Sequence, residues 1–306
     1  GGEGEGGERN KQVYLTQLEN IALGGFSGAL KTFLLMPLST LKYCCQQGRP
    51  FPTSLLEWYR GVIPMASFMV PITILQMWAN GVLERALVKK VGRALSRVET
   101  VLVAVVAGAL SALLYSPLDL VVIQQQKLKM TLGATLSYIY DQYGLFSFTR
   151  GFIPCMIREA SYTAGYLGLA PVIADTLNRK YPKIFRNLFV ASITGSAIAG
   201  VAASLLSHPV DTAKTLIQAD IELTQFKGLI DTITHLWTTS GFTEMYNGAL
   251  VRCIQIIASI FVLSTIRARA LIFKENFLAR RAAARGTTTG GNNLLRPGAT
   301  AVVADT

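Results

Sequence analysis

The chain has 306 residues, of which 51% are hydrophobic and 15% charged, with a formal net charge of +11 and a mean hydropathy of +0.38. Soluble domains carry about 25% charged residues, so this composition excludes an ordinary soluble domain and indicates a membrane protein. Four cysteines, Cys44, Cys45, Cys155 and Cys253, lack any metal-ligand spacing and read as small packing residues.

Residues 1–17 form a polar lead-in that opens GGEGEGGERN. This is acidic and glycine-rich, the reverse of an Arg-rich transit peptide or a signal peptide, so no cleavable presequence is expected. Its literal G-x-G-x-x-G follows no strand and opens no helix, which excludes a dinucleotide loop. A first span is expected from Leu18 to Gln46, with Gly24, Gly25 and Gly28 offering a small-residue surface for helix approach and a kink at Pro37. A short link leads to a second span, Val62 to about Leu87, which contains Pro64 and Pro71. The third span, Thr100 to Gln126, precedes a surface helix whose Leu132, Leu136, Ile139 and Tyr143 recur at helical spacing, so one face is expected to lie on the membrane. A fourth span starts at Phe152 and ends at the Tyr181-Pro182 turn. The fifth runs from about Phe185 to Ala219, a second surface helix follows, and the sixth ends near Phe273. KENFLARRAAARG prolongs that helix, and the final residues have a disordered composition. Val62 to Leu83 and Asn187 to Val210 contain no Asp, Glu, Lys or Arg, and each is long enough to cross a hydrocarbon core of about 30 Å; Val101 to Leu118 is equally free of charge.

The spans are organised by an internal repeat. MPLSTLKYCCQQ (36–47), SPLDLVVIQQQ (116–126) and SHPVDTAKTLIQ (207–218) each set a proline before a charge pair or its remnant. Pro37, Pro117 and Pro209 each follow a glycine by nine residues, Gly28, Gly108 and Gly200, and each precedes an aromatic and polar step into Gly61, Gly151 or Gly248. Self-similarity at this period outranks any local motif. The boundaries are 18–98, 99–184 and 185–275 for the three repeats, with a tail at 276–306.

These residues resemble the mitochondrial carrier family, whose repeat reads Pro-x-acid-x-x-base, a short helix, then aromatic-base-Gly; the resemblance covers roughly Leu18 to Phe273. It implies an all-α membrane protein, six transmembrane helices in three pseudo-threefold repeats with short matrix surface helices, multi-pass in the mitochondrial inner membrane with both termini in the intermembrane space. The first link is the departure. Pro37 and Gly61 are separated by 24 residues, against 34 and 39 in the other repeats, so the first matrix helix is stunted or missing.

Charges in a bilayer are costly, so they should face an internal cavity and pair. Positions two and five after the proline share a helix face, and three copies make a ring. Repeat one has Ser39 and Lys42, repeat two Asp119 and Val122, repeat three Asp211 and Lys214. In the family each acid pairs with the base of the next repeat, which implies Asp119 with Lys214, Asp211 with Lys42, and Ser39 with Val122. The two missing charges are then partners, whereas the opposite direction would strand Asp211 and Lys214 at roughly 3–5 kcal/mol. By resemblance this ring is a gate on the matrix side, with Gln124 bracing a bridge. The family's opposite, cytosolic gate is not legible: the windows ANGVLE (79–84), LAPVIA (169–174) and TIRARA (265–270) lack an acid and base at the required spacing.

The resemblance also places solute contacts on the even-numbered spans, which selects Arg158 and Glu159, an arrangement like that of amino-acid carriers, and Gln255. Lys31, eleven residues before Lys42, could face the same cavity. The steps Arg60-Gly61, Arg150-Gly151 and Asn247-Gly248 start spans where free backbone N–H groups favour phosphate, and resemble the family's cardiolipin sites. Excess Lys and Arg suits anionic head groups first, and an anionic solute second. Two histidines and no phosphate loop, zinc motif or nucleophile triad argue against an enzyme, a metal or a cofactor. The expected function is movement of a small solute by alternating access. The alternative expectation, motivated by the unreadable cytosolic gate and the shortened first repeat, is a transport-inactive structural subunit whose termini contact a large inner-membrane complex of respiratory type.

Overall fold

A computed structural model describes residues 16–93 and 95–286. Most of the lead-in and the end of the tail, the expected contact points for a larger complex, lie outside the described residues. Three long helices carry the repeat prolines: α1 (Gln17–Gln47), α5 (Arg97–Leu128) and α9 (Leu188–Ala219). Each starts where its sequence supplies a cap. Thr16 with Glu19 and Ser96 with Glu99 form reciprocal capping boxes, and the Asn187 side chain accepts from the Phe189 N–H. At about 1.5 Å per residue each exceeds 45 Å, more than the hydrocarbon needs, so their ends project into water. Pro37, Pro117 and Pro209 lie inside these helices without ending them.

The links follow the expected inequality. The first repeat has only α2 (Leu55–Trp58), a single turn. The second and third have α6 (Leu132–Tyr143) and α10 (Leu229–Thr239), each followed by a 3₁₀ turn at Leu145–Thr149 or Phe242–Tyr246. One expectation for α6 is corrected. Its Ile139 is fully buried against Leu120, Val121 and Ile221, with Leu132 and Tyr143 beside it, so these three of the four residues read as membrane-directed pack on α5 and the chain after α9, while Leu136 is exposed. Periodicity identifies a buried face and cannot say whether lipid or protein covers it.

The even spans are less regular than their composition suggests. The second is split into α3 (Val62–Ser67) and α4 (Met69–Val91), bent by 42° at Phe68. Pro71 accounts for the break: it has no N–H to donate to the Ser67 carbonyl, and its ring clashes there. The fourth consists of α7 (Phe152–Thr163), a π-helical turn at Ala164–Leu169, and α8 (Ala170–Lys180). Here Pro171 has the same effect on the Leu167 carbonyl, and the wider turn, closed by the Ala170 N–H on the Gly165 carbonyl, absorbs it. The sixth, α11 (Ala249–Gly286), is unbroken and runs past Phe273 as KENFLARRAAARG suggests. Four helices and the bent pair are apolar and long enough to span a membrane. The fourth span is the polar one, because it carries Arg158, Glu159, Asp175, Arg179 and Lys180.

The helices form a closed ring in chain order, with α11 returning to α1. The glycine nine residues before each proline is where an odd helix meets an even one. A Cβ on Gly28 would meet Met69, on Gly108 the Thr163 hydroxyl, and on Gly200 Ile256. Gly61, Gly151 and Gly248 open the even spans at φ of +90°, +74° and +80°, each against the odd helix of another repeat: Val122 of α5, Gln218 of α9, and Lys42 and Cys45 of α1. The threefold order is thereby closed at the level of single contacts. Large apolar side chains such as Phe26, Leu102, Leu206, Leu250 and Phe261 point outward, as a lipid-facing surface requires.

Gly151→Ala should lower the thermal unfolding midpoint in detergent. A Cβ there sits 2.7 Å from the Gln218 side chain on a backbone that costs an L-residue about 1–2 kcal/mol. Gly133→Ala, which meets nothing within 4 Å, should not lower it. Equal midpoints for both variants would contradict the packing described.

Candidate transport site

The four charges of the expected ring converge where α1, α5 and α9 cross. Lys42 is 5% exposed, Asp119 1%, and Asp211 and Lys214 fully buried. Lys214 Nζ lies 2.7 Å from Asp119 Oδ2, and Lys42 Nζ lies 3.2 Å from Asp211 Oδ2. The structure therefore pairs each acid with the base of the next repeat. At the vacant third position the two substitutes do not meet each other. Val122 packs in an apolar cluster with Met36, Tyr43 and Ile123, while the Ser39 hydroxyl accepts from Gln255 Nε2 at 2.7 Å. Gln255, expected to face solute, is thus tied to the position that lacks its acid.

Asp211 is the hub. Besides Lys42, Arg252 Nη1 approaches its Oδ2 at 3.1 Å and Arg158 Nη1 its Oδ1 at 3.7 Å. Arg158 also reaches Asp119 at 3.2 Å and Glu159 at 2.7 Å, so the guanidinium lies between the two bridges. Glu159 and Arg158 are both half-buried, and Glu159 in turn interacts electrostatically with the Lys31 ammonium. Four cations, Lys42, Lys214, Arg158 and Arg252, share three carboxylates, and Lys31 adds a fifth. The cluster is electropositive by composition, which suits an anion. Tyr43 stands in the middle, its hydroxyl 3.5 Å from Asp119 Oδ1 and its ring 4.4 Å from Lys42 Nζ.

Gln124 does not brace a bridge. Its amide donates to the Gln218 and Ala219 carbonyls at 2.7 and 3.1 Å, tying the end of α9 to α5. The bridge is braced by Gln46, which donates to Asp211 Oδ2 at 2.9 Å and accepts from the Thr215 hydroxyl at 2.8 Å. Gln46, Gln126 and Gln218 all stand nine residues after their prolines, and all cross to another repeat. Gln126 reaches the Thr40 hydroxyl and the Arg60 carbonyl; Gln218 reaches the Ser116 and Arg150 carbonyls. That spacing was available in the sequence, whereas Arg252, four residues after Gly248, reads from the sequence equally as a helix-end anchor or a ligand, and its pairing with Asp211 carried no signal of its own.

The anion-site candidates separate. Arg150 stacks its guanidinium over the Tyr143 ring at 5.6 Å and, with Gly151, lines a groove of about 690 Å³. Two helix starts meet there, α7 at Phe152 and α10 at Leu229, with Ile153, Pro154, Leu223 and Ile230 supplying apolar walls. Arg60 instead donates to the Met130 carbonyl at 3.0 Å. The Asn247 carbonyl is held by His208 Nε2 at 3.0 Å, and Gly248 packs on α1. At the other end of the bundle, Arg93 pairs with Glu99 and Lys274 with Glu19. Neither joins the windows at 79–84, 169–174 and 265–270.

The family described as "Mitochondrial carrier protein" matches residues 93–181 and 186–273, more than half of the chain. The chain belongs to the mitochondrial carrier family. The matches cover the second and third repeats and the last residues of the first, and the shortened first link lies outside them. Among similar proteins, the "Probable mitochondrial 2-oxodicarboxylate carrier" of Dictyostelium discoideum is 24% identical over 256 residues, 78% of this chain and 84% of its own. The "Mitochondrial dicarboxylate carrier" of Caenorhabditis elegans is 28% identical over 152 residues, 47% of this chain and 51% of its own. The "Mitochondrial aspartate-glutamate transporter AGC1" of Saccharomyces cerevisiae is 23% identical over 266 residues, 78% of this chain and 29% of its own. Membership implies a multi-pass protein of the mitochondrial inner membrane, and the relatives that match are carriers.

Because Asp211 serves three cations, Asp211→Asn should destabilise the fold by roughly 3–5 kcal/mol. Lys42→Met should cost less, since Arg252 and Arg158 still neutralise Asp211. Thermal unfolding of the two variants in the same detergent checks the order, and a larger loss for Lys42→Met would contradict the hub arrangement.

Proposed function

We propose that this carrier moves a small, carboxylate-bearing, amino-acid-like solute by alternating access. Lys42, Asp119, Asp211 and Lys214 form its matrix gate, closed in this state, and its termini face the intermembrane space. The observation that carries this reading is the position of Arg158, which holds Asp119 and Asp211 at once and stands beside Glu159. A solute carboxylate competes for the same guanidinium, and a solute ammonium finds Glu159 and replaces Arg158 there. Drawing Arg158 away leaves both gate carboxylates with fewer counter-charges and loosens the two bridges together. Solute binding and gate opening are in this way one event. Lys31 and Gln255 flank the pair, Gln255 after release from Ser39. The names of the relatives, which include dicarboxylate and aspartate-glutamate carriers, favour the same class of solute.

Two bridges instead of three make a gate that opens at lower cost, and the apolar cluster at Val122 takes up part of the missing hold. With no acid and base at the family's spacing in the windows 79–84, 169–174 and 265–270, the cytosol-open state is the resting one. Pro37, Pro117 and Pro209 sit just before the ring, where a helix lacking a backbone bond can pivot. The groove at Arg150 and Gly151 is the best supported place for an anionic phospholipid such as cardiolipin, its phosphates at two helix starts and its chains along the apolar walls. The corresponding steps at Arg60-Gly61 and Asn247-Gly248 bind lipid less well, because Arg60 Nη1 is tied to the Met130 carbonyl and the Asn247 carbonyl to His208.

In proteoliposomes, uptake of labelled glutamate, aspartate or a 2-oxodicarboxylate should fall at least tenfold in Asp119→Lys and in Lys214→Asp, and recover substantially in the double swap. Equal activity in all three variants would exclude the gate role. Arg158→Ala should abolish uptake, and a protein that takes up none of these carboxylates at all would overturn the solute assignment.

A further inference from the structure

The three repeats differ most in the link after the odd helix, and a cavity lies beside the shortened first link. Where the other two repeats place α6 or α10 and a 3₁₀ turn, the first repeat has an irregular stretch from Gly48 to Ser54 and the single turn α2. Between this stretch and the ends of α1 and α5 lies a cavity of about 340 Å³. Four of its lining residues are basic, Arg49, Arg60, Lys127 and Lys129, against one acid, Glu57.

Their partners decide which of them is available. Lys129 pairs with Glu57 at 2.9 Å, Lys127 donates to the Ala219 carbonyl at 2.7 Å, and Arg60 Nη1 donates to Met130. Arg49 is different: its Nε and Nη2 are buried and have no hydrogen-bond partner. These two nitrogens form the side-on edge of the guanidinium, which presents parallel N–H donors to two oxygens of one oxyanion. Arg60 Nε, on the same cavity, is also buried and unpartnered. Leaving such donors unsatisfied costs about 1–3 kcal/mol each or more when charged, so an anion that fills the cavity removes a penalty already present in the fold.

We infer that this cavity is a matrix-side site for the phosphate group of a soluble anion, held by the side-on edge of Arg49 with Arg60, Lys127 and Lys129 supplying the field. A tetrahedral phosphate matches the excess of cations better than a single carboxylate does. The cavity volume lies at the small end of ligand sites, about 300–1,000 Å³. Its polar lining contrasts with the apolar walls of the groove at Gly151, which suit acyl chains. The bound phosphate ties together the ends of α1 and α5 and the first link, the corner of the gate that lacks its ion pair. The site is independent of the solute pathway, so its test does not depend on which solute the carrier moves.

The test is thermal unfolding of the full-length chain in a zwitterionic detergent, titrated with inorganic phosphate against chloride at constant ionic strength. The midpoint should rise saturably, and Arg49→Gln should raise the half-saturating phosphate concentration about tenfold or more. Lys89→Gln, at an exposed position near the end of α4, should leave it unchanged. If Arg49→Gln does not fold, the second variant is Lys129→Gln at an exposed position, which should weaken phosphate by about two- to fivefold. No saturable rise, or the same rise in wild type and variants, overturns the site. The lipid arm compares zwitterionic vesicles with vesicles containing anionic phospholipid: an Arg49-dependent shift seen only with the anionic lipid, and not with inorganic phosphate, assigns the cavity to a head group and overturns the soluble ligand.

Discussion

Everything at the centre of this bundle depends on the burial of Asp211. A carboxylate with no exposure inside a membrane protein is tolerable only if cations and donors surround it. Asp211 draws Lys42 from α1, Arg158 from α7, Arg252 from α11 and the Gln46 amide, so one side chain of α9 determines where three other helices must stand. The second bridge, Asp119 with Lys214, shares Arg158 with the first. The two bridges therefore form one electrostatic unit, and anything that moves Arg158 acts on both.

The third corner of the ring was solved differently. Where charge is absent, Val122 fills apolar space beside Met36 and Tyr43, and Ser39 is capped by Gln255. Replacing a whole pair in this way can be nearly neutral for stability, whereas removing one member leaves a stranded charge. The same corner carries the shortened link. Ion-pair loss, loss of the surface helix and the position of the family matches all set the first repeat apart from the others.

Much of this was legible from residue spacing. Proline, acid and base recur at positions that only a threefold bundle brings together, and the vacancy pattern alone selects the pairing direction, because the other direction strands two charges. The unequal links were legible for the same reason, as a difference in residue count. Other features were not. The break at Phe68 and the π turn at Ala164–Leu169 both follow from prolines, yet sequence alone does not say whether a membrane helix absorbs a proline by bending, widening or merely losing a bond. The face of α6 at Ile139 was legible as buried and was assigned to the wrong partner. Gln46 and not Gln124 braces the bridge because two residues of helix, about 200°, separate a brace on the bridge from a clamp on the neighbouring helix end.

The central claim is that the two bridges hold the matrix ends of the helices together and release them as a unit. The most direct measurement is a pulsed electron spin resonance distance between labels at Pro50, after α1, and Glu222, after α9, with the native cysteines replaced by alanine. A single narrow distance is expected with the bridges intact, and a second, longer population when Asp119 and Asp211 are both changed to asparagine. Identical distributions with and without the carboxylates would mean that the charges only tie the bundle together, and would contradict a gate.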